Sequence, residues 1–404
     1  MKLIQISPGE QRIPVNMGGG IESHIYNMSL ALKKLGHDVI IIDRKYTKDD
    51  PDNECSEGIK IIRLKASRIK GLPFYFRLTI NEILYTIQVR KYLRNNDFDK
   101  VHVHNSVSGL FLCLNNKRLR EKLFYTSHTS RRVEKTTVGL ANLTDKIALI
   151  IENQLTKRVT RTITHNEIIR AQIIKDAKVN SEKIVIIPNF INVDNFHIDI
   201  DLNSIKDKYN LRKYFSVLFV GRICDDKGIE YLIKAAKKII QELNYNNTII
   251  ILVGPIEYFG NNKTSSSYFS KISKMIIDYK IQKNIIITGS IPKDDLIKLY
   301  RTCDIFVLPS LKEAMPNAVT LEAMASGIPM IITDVGGIPE NLKNSKCCVI
   351  IKPANETELA AAIIRLKNDP EERKKMGIRG QEIAVADFSV DKIAQKLLKV
   401  YQNC

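Results

Sequence analysis

At 404 residues the chain is too long for one small core, and at roughly 100–200 residues per domain it is expected to form two. No run approaches the ~20 apolar residues of a membrane span, the opening residues run into a strand rather than a cleavable signal, and seven scattered cysteines without a C-x-x-C pair argue against a disulfide framework or a cysteine zinc site. A soluble cytoplasmic protein with reduced thiols is expected, and its net charge of +18 attracts nucleic acid, anionic lipid or phosphorylated substrates without choosing among them.

In chain order, "KLIQIS" reads as a strand that hands over to an amphipathic helix in "GGGIESHIYNMSLALKKLGHDVIIID", with Gly36-His37 closing the helix before the strand Val39–Ile42. Further strands are expected at Lys100–Asn105, Leu123–His128, Arg161–Asn166 and Lys183–Phe190. This rhythm argues for parallel βαβ units. A polar stretch, 191–212, reads as an interdomain linker between a first domain, 1–190, and a second, 213–385. Residues 386–404 are expected as a helix packing back across the domains.

The second half repeats the logic at Phe215–Arg222, Asn247–Pro255, Asn284–Ser290, Asp304–Ser310 and Pro329–Gly337. Two doubly wound parallel sheets facing a shared cleft put the carboxyl ends of their strands, where such folds bind ligands, on one crevice. In "LFVGRICDDKGIEYLIKAA" Arg222 ends a strand and Lys227 stands in the short loop before a helix, so both cations point at an anion site; the plain alternative is a pair of solvated loop charges. In "PSLKEAMPNAVTLEAMASGIPMIITDVGG" Pro316 and Asn317 begin a helix and Gly327 ends it. Glu313 is then in the loop and Glu322 on the helix. Cations and amide donors for a diphosphate, beside carboxylates for hydroxyls, describe a nucleotide-sugar site.

Together "GGGIESHIYNMSLALKKLGHDV", "VHVHN", "IPNFINVDNF", "LFVGRICDDKG", "GSIPKDDLIKLYRTCDIFVLPS" and "EAMPNAVTLEAMASGIPMIITDVGGIPE" resemble glycosyltransferase family 4, retaining enzymes of the GT-B fold, over nearly the whole chain. The resemblance implies two Rossmann-like domains facing an interdomain cleft. It implies a donor site of Gly19, Gly20, Arg222, Lys227, Ile291, Met315, Pro316, Asn317 and Glu322, with Arg222 and Lys227 on the diphosphate and Glu322 on the ribose. Glu313 would meet the transferred sugar, and His128 would sit near the reacting centre. No cofactor is implied beyond the donor, a UDP- or GDP-type sugar, and turnover is expected without a divalent metal. The acceptor would be a glycan or a lipid-linked molecule. One departure stands out: eight residues, Ala314–Leu321, separate Glu313 from Glu322, one more than the family spacing, and a bulge in the loop would absorb it.

His102 and His104 alternate on one strand and share a face; with no third ligand in view they read as structural. The acidic triplet Asp199–Asp201 reads as solvated linker charge, so no metal site is expected. Between Arg63 and Arg94 eight Lys or Arg stand against one acid, Glu82. Either a helix shows a solvated basic face, or a patch meets an anionic membrane surface on the inner face of the cell membrane. A nicotinamide dehydrogenase is disfavoured because Gly18–Gly20 is no tight G-x-G-x-x-G, and no nucleic-acid signature accompanies the charge, so no nucleic-acid partner is expected. A nucleotide-sugar epimerase or hydrolase on the same fold is the alternative enzyme.

Overall fold

Near-continuous apolar runs such as "FSVLFV" and "TIIILV" are buried along their whole length, the pattern of parallel strands covered on both faces by helices. The computed structural model describes residues 1–15, 20–67, 69, 71, 74–128, 140–197, 199–256, 262–313, 316–336, 338 and 340–404. The chain divides into two compact units, 1–188 with 390–404, and 189–389.

In the first unit the strands are β1 (Lys2–Ile6), β2 (Asp38–Arg44), β3 (Asn53–Ser56), β4 (Ile59–Leu64), β5 (Lys100–Val103), β6 (Leu123–Thr126), β7 (Arg161–Thr164) and β8 (Ile184–Ile186). Their order is β3-β4-β2-β1-β5-β6-β7-β8. All neighbours run parallel except β3 and β4. That hairpin is absent from the expected pattern. It turns on Glu57 and Gly58, both at positive φ, and is tied down by charge: Arg63 of β4 is fully buried and donates to Asp43 at 2.7 Å, and it also pairs with Glu54. Arg63 therefore leaves the proposed basic surface. Of the other residues in that segment, Arg68 and Lys70 lie outside the described residues, Arg90 donates to the Leu114 carbonyl, and Lys91 and Arg94 are exposed.

Ile4, Ile6, Val101, Val103 and Tyr125 of the sheet pack against Tyr85, Val89 and Leu93 of the helix Phe74–Arg94. The helix Gly20–Lys34 ends as expected on Gly36, whose φ of +85° lets the His37 amide reach back to the Leu32 carbonyl. The last helix, Val390–Gln402, buries Ile393, Leu397 and Tyr401 at fourfold spacing, packs against Gly20–Lys34, and belongs to the first unit.

In the second unit β9 (Phe215–Val220), β10 (Thr248–Val253), β11 (Ile285–Gly289), β12 (Ile305–Leu308), β13 (Met330–Thr333) and β14 (Cys348–Ile351) form a parallel sheet in the order β11-β10-β9-β12-β13-β14. The stretch 191–212, expected as a linker, folds into this unit: it forms the helix Asn203–Lys208 and two short turns, and it buries Phe196, Ile205 and Leu211 in the core. Three apolar side chains spaced through a polar sequence give too little periodicity to be seen, yet each is worth about 1.5–3 kcal/mol when buried. Asp201 accepts from the Asn203 amide at 2.8 Å as a helix-start residue.

Candidate functional site

The loops that follow β9 and β12 meet at the carboxyl edge of the second sheet, because those strands are neighbours. The Asp226 carbonyl accepts from the amides of Leu311 and Lys312 at 2.8 and 3.3 Å. Gly228, at φ +63°, brings its backbone so close to the Pro309 carbonyl that a Cβ there would stand 2.0 Å from the oxygen. This seam delivers Lys227 to Glu313. The ammonium and carboxylate form an ion pair with both side chains largely buried, and Ser310 Oγ donates to the same carboxylate oxygen at 3.3 Å. Ser310 is held in turn by Thr333 of β13, whose hydroxyl donates to its carbonyl at 2.6 Å. Arg222 is half-buried two residues after β9.

The helix Ala318–Ser326 begins on Asn317, whose side-chain oxygen accepts from the Thr320 amide at 3.0 Å, and ends on Gly327 at φ +75°. Asn189 donates to the Pro316 carbonyl at 3.0 Å, fixing the entry of that helix. Glu322 lies in its second turn. Tyr300 of the helix Lys293–Thr302 donates to it at 3.0 Å, and burial pushes its carboxyl up to about 7. Ile291 follows β11, two strands away from β9, and packs against the core. Met315 and Gly19 lie outside the described residues, and Gly20 opens the helix Gly20–Lys34 of the first unit with its surface exposed.

Lys227 and Glu313, expected to serve different parts of a donor, are paired with each other. Neither is a solvated loop charge, because a partner 86 residues away in sequence holds each in place. Sequence reasoning missed Tyr300, Ser310 and Thr333, which orient the two carboxylates; ordinary polar residues on a helix, a loop and a strand carry no spacing that would single them out.

In the first unit β1, β5, β6 and β7 are successive neighbours, and their carboxyl ends gather histidines. His104 follows β5, His128 lies two residues past β6, His165 follows β7, and His24 comes from the helix after β1. His104 Nδ1 lies 2.9 Å from His128 Nε2, and His128 Nδ1 lies 3.3 Å from His165 Nε2. His102, beneath them, bonds to Tyr401 at 2.6 Å and to Thr126 at 2.7 Å, a structural role. Burial holds all five below the ordinary imidazole range, His102 at about 3, so they are uncharged at neutral pH. A third imidazole does stand beside the His104–His128 pair: nitrogens of His24, His104 and His128 lie within 4.8 Å of one another. The signal was present in sequence as histidines ending three strand-like runs, legible once those strands are known to be neighbours.

Two parallel-sheet units of Rossmann type, the second with a cationic and an acidic loop paired at its carboxyl edge, fit the sugar-transferring enzymes whose family models the chain matches. Residues 202–383 match the family model of glycosyl transferases group 1, and residues 18–195 match that of glycosyltransferase family 4. The chain is 25% identical over 396 residues to an uncharacterized glycosyltransferase of Methanocaldococcus jannaschii, covering 96% of this chain and 95% of that one. It is 27% identical over 298 residues, 72% of each chain, to the UDP-Gal:alpha-D-GlcNAc-diphosphoundecaprenol alpha-1,3-galactosyltransferase of Escherichia coli. Among solved structures, sucrose-phosphate synthase from Thermosynechococcus elongatus matches with a TM-score of 0.82 at 23% identity, over 100% of this chain and 98% of that one. The chain belongs to the family 4 glycosyltransferases of GT-B fold, and it is an enzyme.

Proposed function

We propose that this glycosyltransferase moves a hexose-type sugar from a nucleoside-diphosphate donor to a glycan or lipid-linked acceptor, keeping the anomeric configuration. The observation that carries the reading is the Lys227–Glu313 pair, held where the loops after β9 and β12 are stitched together. A diphosphate arriving there takes over the Lys227 ammonium and is joined by Arg222. Glu313, released from its ion pair, accepts from hydroxyls of the sugar attached to that diphosphate. Glu322 takes the ribose. As the bond to the leaving diphosphate breaks, negative charge grows on its oxygens, and Lys227 and Arg222 stabilise it. The Escherichia coli relative is a galactosyltransferase from UDP-Gal to a diphosphoundecaprenol-linked GlcNAc, which supports both the donor and the acceptor class. His128, Ile291, Met315, Gly19 and Gly20 keep, as part of the proposal, the roles that the family resemblance implies.

The test is a thermal-shift screen against UDP, GDP and ADP and their sugars, followed by turnover of the best donor. A ligand that binds only the folded state raises its apparent stability by about 2.7 kcal/mol at a hundredfold excess over Kd. Arg222→Ala and Lys227→Ala are each expected to lose turnover roughly a hundredfold or more. No shift with any nucleoside diphosphate, or near-normal turnover in both variants, overturns the donor site. An inverted product by NMR overturns retention alone.

A further inference from the structure

With the Gln5 amide oriented as it is, the hydrogen-bonding chain through the first unit's histidines brings two lone pairs together. It can be followed from both ends. At one end the Ile187 carbonyl, an acceptor only, lies 3.0 Å from His165 Nδ1, so that nitrogen carries the proton and His165 Nε2 presents a lone pair. His128 Nδ1 then donates to it across 3.3 Å, leaving His128 Nε2 with a lone pair. At the other end Gln5 donates from its amide nitrogen to Tyr401 at 3.4 Å and turns its carbonyl oxygen to His104 Nε2 at 3.0 Å. His104 Nε2 therefore carries the proton, and His104 Nδ1 presents a lone pair. The two lone pairs meet at 2.9 Å.

A single shared proton would bridge two nitrogens, but a third converges on the same place. His24, on the helix Gly20–Lys34, has its ring centroid 5.0 Å from that of His128 and 5.8 Å from that of His104. Nitrogen atoms of the three residues lie within 4.8 Å of one another. Three imidazole nitrogens about 2.0–2.1 Å from one tetrahedral ion stand roughly 3.3 Å apart, so the cluster is within small side-chain adjustments of a ligand set. The remaining ring nitrogens of His104 and His128 are already engaged by Gln5 and by His165, the outer hydrogen bonds that fix tautomer and orientation in metal-bound histidines.

We propose that His24, His104 and His128 form a three-histidine binding site for a borderline transition-metal ion of the Zn2+ class, with a fourth position open to water or another ligand. Neutral imidazoles suit Zn2+, Co2+, Ni2+ and Cu2+ and not the hard, oxygen-seeking Mg2+ and Ca2+. The site lies wholly within the first unit; of its three ligands only His128 also has a place in the proposed transfer, and the metal site does not depend on that place. No part in sugar transfer is assigned to the ion.

The test uses the full chain, stripped with chelator and titrated with Co2+ and Zn2+ under equilibrium dialysis. One ion per chain is expected to bind, displaced by Zn2+ and not by a large excess of Mg2+. Bound Co2+ should show visible ligand-field bands without the near-ultraviolet thiolate band, which separates the histidines from the seven free cysteines. His24→Ala and His104→Ala, each removing a ligand, should weaken binding by at least about a hundredfold, no less than the roughly 10–100-fold that loss of an outer hydrogen-bond partner costs. Circular dichroism confirms folding, and the half-buried His24 serves as the second variant if removing His104 disturbs the core. Absence of stoichiometric binding overturns the site: the Gln5 amide is then turned round, His104 Nδ1 donates to His128 Nε2, and protons alone close the chain. Binding that carries a thiolate band, or that survives both substitutions in folded protein, overturns it equally.

Discussion

Glu322 combines a buried carboxyl, raised from an ordinary value of 4.5 to about 7, with a single defined partner in Tyr300. Its proposed work, accepting hydrogen bonds from ribose hydroxyls, is done more strongly by the ionised form. Nucleoside diphosphate affinity is therefore expected to rise as pH increases through about 7, and to lose that step in Glu322→Gln; calorimetric titration across pH 6–8 checks it. The sign for stability is opposite. The folded state holds this proton more tightly than the unfolded one, so the stabilisation is present in full below about 4.5 and is lost as pH rises to about 7. If Glu322→Gln flattened neither curve, the residue would have neither role. The placement of Glu322 was legible because it depends on local rules: Asn317 starts a helix and Gly327 stops it. The attachment of Glu313 to Lys227 was not, since composition and spacing say nothing about which distant charge a loop carboxylate will meet.

At the scale of elements, the donor loops depend on one close backbone approach. Gly228 occupies a left-handed conformation and lies against the Pro309 carbonyl. Gly228→Ala adds backbone strain of about 1–3 kcal/mol and forces the two loops apart. It is expected to lower the unfolding midpoint in urea and to cut turnover at least tenfold, by carrying Lys227 away from the place where the diphosphate is to be held. Wild-type values on both measures would mean that the seam is dispensable. Most βαβ units were visible in advance, because each strand is a buried apolar run ending in a Gly, His or Pro signal. The β3–β4 hairpin and β14 escaped notice for different reasons. In β3 only alternate residues are shielded and the sequence is polar, and the hairpin is secured through Arg63 of β4, which pairs with Glu54 of β3 and is buried against Asp43 of β2, charge contacts that periodicity cannot reveal. β14 has only four residues, Cys348–Ile351, beginning on the second of two adjacent cysteines, too few to establish a period.

For the whole molecule, the net charge of +18 is the property that structure redistributes most. With Arg63 buried, the first unit's long helix still shows Lys91 and Arg94 at its end. If a lipid-linked acceptor is used, such cations meet anionic lipid at about 1 kcal/mol each. Sedimentation with anionic vesicles should then capture the protein at low salt and release it in added salt, since exposed charges are screened over ~10 Å at 0.1 M; no capture at low salt would favour a water-soluble acceptor. Division into two parallel-sheet units could be read from the repeated strand-helix rhythm, but the assignment of 191–212 to the second core could not, because it rests on three isolated side chains. The last helix carries a consequence of its own. Tyr401 supplies a hydrogen bond to His102 on a central strand of the first sheet and packs edge-on to Phe124 at 4.9 Å. Every residue of the second unit, 189–389, leaves the ribosome before Tyr401 does. The unit whose synthesis begins first is thus the one completed last, and throughout that interval His102 waits for a partner that has not yet been made.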